Sequence, residues 1–227
     1  MKQMLLELDA QRPETLTSFV VGQHVEVVEL LRLFEKRQPG SFGEHAAYLW
    51  GETGSGKSHL LKALSHNSHT RYLNATASLN EFDYTPEINL YLLDDCQLLS
   101  NSHQIAAFNL FNQVKENNAF FVAAGSLPPA LLIVRDDLRT RLGWGLIYQL
   151  HGLTDHEKMS ALENAASARG VTLPEGVLPY LITHFHRDMP SLANLLDALI
   201  NLALEIKRPI TLPFLREVMQ QQRDLDG

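Results

Sequence analysis

Gly51-Glu52-Thr53-Gly54-Ser55-Gly56-Lys57-Ser58 is the stretch that decides the fold. It matches the pattern G-x-x-x-x-G-K-[ST] in full. The apolar run Ala46-Ala47-Tyr48-Leu49-Trp50 precedes it, and a helical segment from Lys57 to Ser65 follows. The motif therefore sits between a buried strand and a helix, the context it needs. There the glycines let backbone N–H groups turn inward around phosphate oxygens, and the helix N-terminus adds its positive dipole end. Lys57 is placed for β- and γ-phosphates and Ser58 as a Mg2+ ligand. A glycine-rich turn with a chance lysine is the bland alternative, and the strand–turn–helix context argues against it.

Moving outward, Leu90-Tyr91-Leu92-Leu93-Asp94-Asp95 is an apolar strand that ends in two carboxylates. The expectation is that this strand is buried beside the phosphate loop, with its carboxylates at the C-terminal end. Asp94 then holds Mg2+ through water, and Asp95 orients and deprotonates an attacking water. Phe120-Phe121-Val122-Ala123-Ala124, Ile147-Tyr148-Gln149-Leu150 and the short Tyr72-Leu73 read as further strands. Helical spacing appears from His24 to Lys36 and from Gln104 to Asn117, the latter with Ile105, Phe108, Phe111 and Val114 on its apolar face. Short apolar strands alternating with helices predict an α/β fold whose parallel sheet is covered on both faces.

After Gly152 the pattern becomes purely helical. Thr154-Asp155-His156-Glu157 is a capping box that opens a helix running to Gly170. Pro174 to about His186, Pro190 to about Lys207, and a segment opened by Thr211-Leu212-Pro213 follow. The expected organisation is a flexible tail over 1–15, a P-loop α/β domain over 16–151 and a small all-helical domain over 152–227.

Composition narrows the function. Of the 227 residues 45% are hydrophobic and 20% charged, which excludes wholesale disorder. A formal net charge of -7 argues against a sequence-independent nucleic-acid binder, which needs a cationic face. The single cysteine, Cys96, excludes an intramolecular disulfide and a cysteine-based zinc site. The pairs His66/His69 and His184/His186 lack an evident third ligand. No apolar run reaches membrane-spanning length, and Glu7 and Asp9 interrupt the apolar N-terminus. The chain reads as cytoplasmic, without a membrane partner.

Asp136-Asp137-Leu138-Arg139-Thr140-Arg141-Leu142-Gly143-Trp144-Gly145 places two arginines before a glycine-bounded turn and a strand. On spacing alone a solvated surface arginine is the simpler reading. In an oligomeric ATPase such a residue can instead be a finger that reaches a neighbour's γ-phosphate.

Together, the P-loop, the Leu-Leu-Asp-Asp strand end, Arg-x-Arg-Leu-Gly-Trp-Gly and the helical tail domain resemble the AAA+ module of the bacterial initiator DnaA, over roughly residues 16 to 223. The resemblance implies an AAA+ P-loop NTPase with a helical lid, binding ADP or ATP with Mg2+ between the two. Gly51, Gly54, Ser55, Gly56, Lys57 and Ser58 then hold the phosphates. Val20 and Val21, in Thr17-Ser18-Phe19-Val20-Val21-Gly22, fall where base contacts are made. Arg141 becomes the arginine finger and Arg139 a nearby basic residue.

The chain departs from DnaA in ways that imply a role. It stops at Gly227, without the helix-turn-helix domain that follows in DnaA. The extra single-strand-binding helices are missing between Asn74 and Leu90. Ser126 stands at an acidic sensor position, and Pro190 stands where a sensor arginine is expected, with Arg187 three residues away. This set resembles Hda-type DnaA relatives, which begin with a short motif that binds the DNA polymerase sliding clamp. Gln3-Met4-Leu5-Leu6-Glu7-Leu8 fits it, with Gln3, Leu6 and Leu8 as clamp-binding residues. The implied function is a regulatory adaptor. With the DNA-loaded clamp it presents Arg141 to the DnaA AAA+ module, stimulates hydrolysis of DnaA-bound ATP and restrains replication initiation. Its own ATPase is expected to be weak, its direct DNA binding slight, and homo-oligomers possible. A free-standing ATPase or helicase loader acting on single-stranded DNA is the alternative, with a small-molecule P-loop kinase third.

Overall fold

The computed structural model describes residues 14–41, 43–185 and 188–226. These form two compact units, one over Glu14–Gly152 and one from Leu153 onward. In the first unit α1 (Val25–Glu35) precedes β1 (Ala46–Trp50), α2 (Lys57–Leu64), β2 (Thr70–Leu73) and β3 (Leu90–Leu93). Then come α3 (Asn101–Glu116), β4 (Phe120–Gly125), α4 (Asp136–Leu142) and β5 (Leu146–Gln149). All strand pairs are parallel, and the sheet order is β2-β3-β4-β1-β5.

β3 is not the neighbour of the strand that leads into the P-loop, because β4 lies between them. β4 is apolar and buried at every position, as a strand hydrogen-bonded on both edges and covered on both faces must be. β1 pairs with it so that Trp50 faces Gly125, and β3 pairs with it so that Leu93 faces Ala123. The chain segments after β1, β3 and β4 therefore leave the sheet along one edge.

The apolar strands look continuous in sequence because their residues divide between two cores. Leu49, Leu90, Leu92, Phe120 and Val122 pack on one face with Val28, Leu31 and Phe34 of α1 and Leu60, Leu61 and Leu64 of α2. Tyr48, Tyr91, Leu93, Phe121 and Ala123 pack on the other with Leu110, Phe111 and Val114 of α3 and Leu138 and Leu142 of α4. Ile105, expected on the buried face of α3, is exposed; Ala107 is buried there instead.

Two boundaries also differ from expectation. The folded unit begins at Glu14 rather than at residue 16, because Glu14 and Thr15 are tied to α2 and to His66 just beyond it. His66 Nε2 lies 2.9 Å from the Glu14 carbonyl, and His59 Nε2 lies 3.1 Å from that of Thr15. Arg139 and Arg141 lie on a short helix, α4, that ends at the glycine-bounded turn they were read to precede. The segment expected from Pro174 becomes helical only at Val177, after Gly176 turns into the left-handed region at φ 90°.

The second unit holds four helices among its described residues: α5 (Asp155–Ser167), α6 (Val177–His184), α7 (Met189–Glu205) and α8 (Leu212–Asp226). The capping box forms as read. The Glu157 N–H donates to Thr154 Oγ1 at 3.2 Å, and the Thr154 N–H donates back to Glu157 Oε2 at 2.8 Å. Leu162, Leu181, Leu192, Leu196, Leu199 and Leu215 fill a separate core. No helix among the described residues is long and apolar enough to cross a membrane.

Candidate functional site

The loop after β1 turns where only glycine fits. At Gly51 φ is 155°, and a Cβ would stand 2.1 Å from the Leu150 carbonyl oxygen. At Gly56, the N-cap of α2, φ is 96°, and a Cβ would stand 2.6 Å from the Phe19 ring. Phe19 thus packs over the last loop glycine, with its ring centroid 5.7 Å from that of His59. Val20 and Val21 follow, both half-buried; Val21 rests on the core and its carbonyl accepts the His24 N–H at 2.7 Å.

Lys57 is buried at the start of α2. Its ammonium donates to the carbonyls of Gly51 and Glu52, each at 2.8 Å, and to Ser55 Oγ at 3.3 Å. All three acceptors are neutral. Burial pushes the lysine pKa down, and the fields of Asp94 and Asp95 push it back up. A buried cation whose hydrogen-bond acceptors among the described residues are neutral, at a helix N-terminus, suits an anion. The donor set of Lys57, the loop amides and the half-buried Ser58 therefore fits a polyphosphate.

The two aspartates at the end of β3 have different surroundings. Asp94 is 1% exposed. One of its oxygens accepts the Tyr72 hydroxyl at 2.7 Å and the other accepts the Asp95 N–H at 2.9 Å. Both oxygens are held in place by donors yet keep lone pairs, which suits contact with a hydrated metal ion rather than direct ligation. Asp95 is half-buried and sits in the left-handed region, with φ 49° and ψ 49°. Few residues other than glycine adopt this, and aspartate is among them. Its Oδ1 accepts from Gln97 Nε2 at 3.0 Å, and Gln97 Oε1 in turn accepts the Ser126 N–H at 3.1 Å.

The structure thus brings Gly51 to Ser58, Asp94, Asp95 and Ser126 to one edge of the sheet. Sequence reasoning missed Phe19, Tyr72 and Gln97. Each acts through a contact distant in the chain or through side-chain direction, and no local pattern marks it.

Arg141 lies on α4, with its guanidinium carbon 5.6 Å from the Phe108 ring and 5.7 Å from the Trp144 ring. Its Nε is buried and has no hydrogen-bond partner among the described residues. Arg139 pairs with Asp136 and donates to the Leu132 carbonyl at 3.2 Å. Pro190 occupies the first turn of α7, after the N-cap Asp188, in the second unit. Gln3, Leu6, Leu8 and Arg187 lie outside the described residues.

Comparison with known proteins places this geometry. The family model for the Hda lid domain matches residues 155–219. The chain belongs to the DnaA-related AAA+ proteins of the Hda type. A Haemophilus influenzae protein described as uncharacterized is 32% identical over 235 residues, covering 96% of this chain and 98% of that one. Domain III of the Thermotoga maritima replication initiation protein DnaA superposes with a TM-score of 0.68 at 18% identity, over 93% of this chain and 98% of that one. AMPPCP-bound DnaA from Aquifex aeolicus gives 0.67 at 20% identity, over 95% and 72%. The Thermotoga maritima RuvB Holliday junction branch migration motor gives 0.63 at 16% identity, over 92% and 72%. The structural likenesses establish the fold: an α/β AAA+ module followed by a helical lid domain.

Proposed function

We propose that this chain is a regulatory AAA+ adaptor of DNA replication that binds adenine nucleotide and stimulates hydrolysis of ATP bound to DnaA. One observation carries the reading: a lid domain of the Hda family on a chain whose first unit has a DnaA-type fold. The AMPPCP bound by a DnaA of the same fold supports the nucleotide part.

In this reading the loop amides from Gly54 to Ser58 and the Lys57 ammonium bind phosphate oxygens. Ser58, and Asp94 through water, hold Mg2+. When bound, the Mg2+-nucleotide supplies an electrophilic γ-phosphorus. Tyr72 and the Asp95 amide fix the Asp94 carboxylate, and Asp95 orients water. Aspartate reaches about one bond less far than glutamate, so intrinsic turnover is slow. The chain acts mainly on its partner, with Arg141 as the finger that stabilises charge on a DnaA-bound γ-phosphate and Arg139 beside it. To reach that phosphate the Arg141 guanidinium leaves its stack on Phe108 and Trp144. Gln3, Leu6 and Leu8 hold the chain on the DNA-loaded sliding clamp.

Arg141→Ala tests the finger. The variant should retain nucleotide and clamp binding and lose stimulation of DnaA-bound ATP hydrolysis by about 10³-fold or more. Stimulation equal to wild type moves the role to another residue, Arg139 first. Retention on single-stranded DNA in place of clamp would favour the helicase-loader reading.

A further inference from the structure

Asp95 and the tip of β4 belong to different strands, and one side chain joins them. The Gln97 carboxamide donates to Asp95 Oδ1 at 3.0 Å and accepts from the Ser126 N–H at 3.1 Å. The orientation is chemically forced, since the flipped amide would set oxygen against carboxylate and N–H against N–H. The contact uses the backbone of Ser126, not its hydroxyl. Beside it, Gly125 makes room for the Tyr48 hydroxyl, from which a Cβ would stand only 2.1 Å.

Ser126 begins the segment that ends at α4. Further hydrogen bonds hold that segment. Tyr48 donates its hydroxyl to the Leu127 carbonyl at 2.9 Å. Arg139 Nη1 donates back to the Leu132 carbonyl at 3.2 Å. Gln104 Oε1 accepts the Arg135 N–H at 2.8 Å while Gln104 Nε2 donates to the Leu99 carbonyl, also at 2.8 Å. Two glutamines on the stretch just after Asp95 therefore grip the start and the end of the segment that leads to Arg139 and Arg141.

We propose that Gln97 is a positioning residue that couples Asp95 to the arginine helix: what Asp95 binds sets the hydrogen bond at Ser126, and through residues 126–135 the order of α4. The inference deepens the adaptor reading and rests on nucleotide binding at the P-loop. A carboxamide suits the task, since one end donates to a carboxylate and the other accepts from an amide. Glutamate cannot do both, and alanine does neither.

The test is amide hydrogen exchange across residues 126–142 on the full chain, with a double-mutant cycle. Asp95→Gly removes the carboxylate at a position whose backbone glycine accepts freely. In nucleotide-free protein Gln97→Ala should speed exchange across 126–135 by roughly fivefold, the factor that one ordinary hydrogen bond supplies. Asp95→Gly should do the same, and the double variant should add little. With wild type, Mg2+-ATP and Mg2+-ADP should give different exchange over 126–142. With Gln97→Ala that difference should vanish while ATP affinity stays within about threefold by calorimetry, which mere loss of local packing would not produce. Unchanged exchange in Gln97→Ala, or fully additive effects of the two substitutions, overturns the coupling. A calorimetric titration in which wild type binds no ATP overturns the nucleotide reading instead, and the coupling of Asp95 to residues 126–135 is then decided by the nucleotide-free cycle alone.

Discussion

Tyr72 donates its hydroxyl to Asp94 Oδ2 at 2.7 Å, from β2, the edge strand beside the one that carries Asp94. An aspartate 1% exposed has few sources of hydrogen bonds, and Tyr72 supplies one of the two it has from neighbouring residues. Hydrogen bonds to charged groups contribute about 1.5–3 kcal/mol. Tyr72→Phe should therefore lower the urea midpoint by that much stability at an unchanged m-value. It should also weaken Mg2+-dependent nucleotide binding, because the carboxylate loses a fixed orientation. An unaltered midpoint would mean that water replaces the hydroxyl without cost.

Alkaline pH should destabilise the fold. Burial raises the pKa of Tyr48, Tyr72 and Tyr91 above the ordinary tyrosine value, and burial together with Glu26 pushes Tyr148 up to about 12. Below about pH 10 the phenols are protonated in both folded and unfolded chains, so the preference costs nothing. Above it the unfolded chain releases protons that the folded one keeps, and stability falls as pH rises. Urea midpoints measured from pH 8 to 11.5 should be flat and then decline. Tyr48→Phe should shift the whole curve and make the decline shallower. A curve flat to pH 11.5 would contradict the assignment.

The P-loop was legible in the sequence because its chemistry lies within eight consecutive residues and their immediate flanks. Asp94 and Asp95 were legible for the same reason. The order of the sheet was not: β3 and β1 carry the two halves of the site, yet which strand lies between them is decided by long-range packing. Helix α4 was hidden by its brevity, seven residues ahead of Gly143. Tyr72 and Gln97 left no sequence signal, since a tyrosine on an edge strand and a glutamine after an acidic pair become specific only through partners elsewhere. Phe19 was quoted for its neighbourhood, but its ring over Gly56 needed three dimensions.

Nucleotide discrimination should be weak. Pro190, on the first turn of α7, stands where the DnaA resemblance expects an arginine. Without that charge-assisted bond, about 1.5–3 kcal/mol of preference for ATP is missing. Calorimetry should find ATP and ADP affinities within about a hundredfold of each other, and purified protein should turn over ATP well below about 10 per second. A larger affinity ratio or a rate of that order would contradict the account.

Residues 1–8 should carry clamp binding. Deleting them should abolish retention on immobilised sliding clamp and move the melting temperature by less than about 2 °C, since one kilocalorie corresponds to roughly 2–4 °C in a chain of this size. Met4, Leu5, Leu6 and Leu8 crowd four apolar residues into five positions, a composition that suits a binding segment. Loss of stability without any clamp binding in the parent chain would assign the segment to packing instead.

The most direct test of the central claim is single-turnover hydrolysis of radiolabelled ATP already bound to DnaA, followed with DNA-loaded clamp, with and without this protein. The account predicts acceleration only when clamp and protein are both present, lost with Arg141→Ala and with deletion of residues 1–8. Hydrolysis at the same rate with and without the protein, under conditions where it binds the clamp, would contradict it.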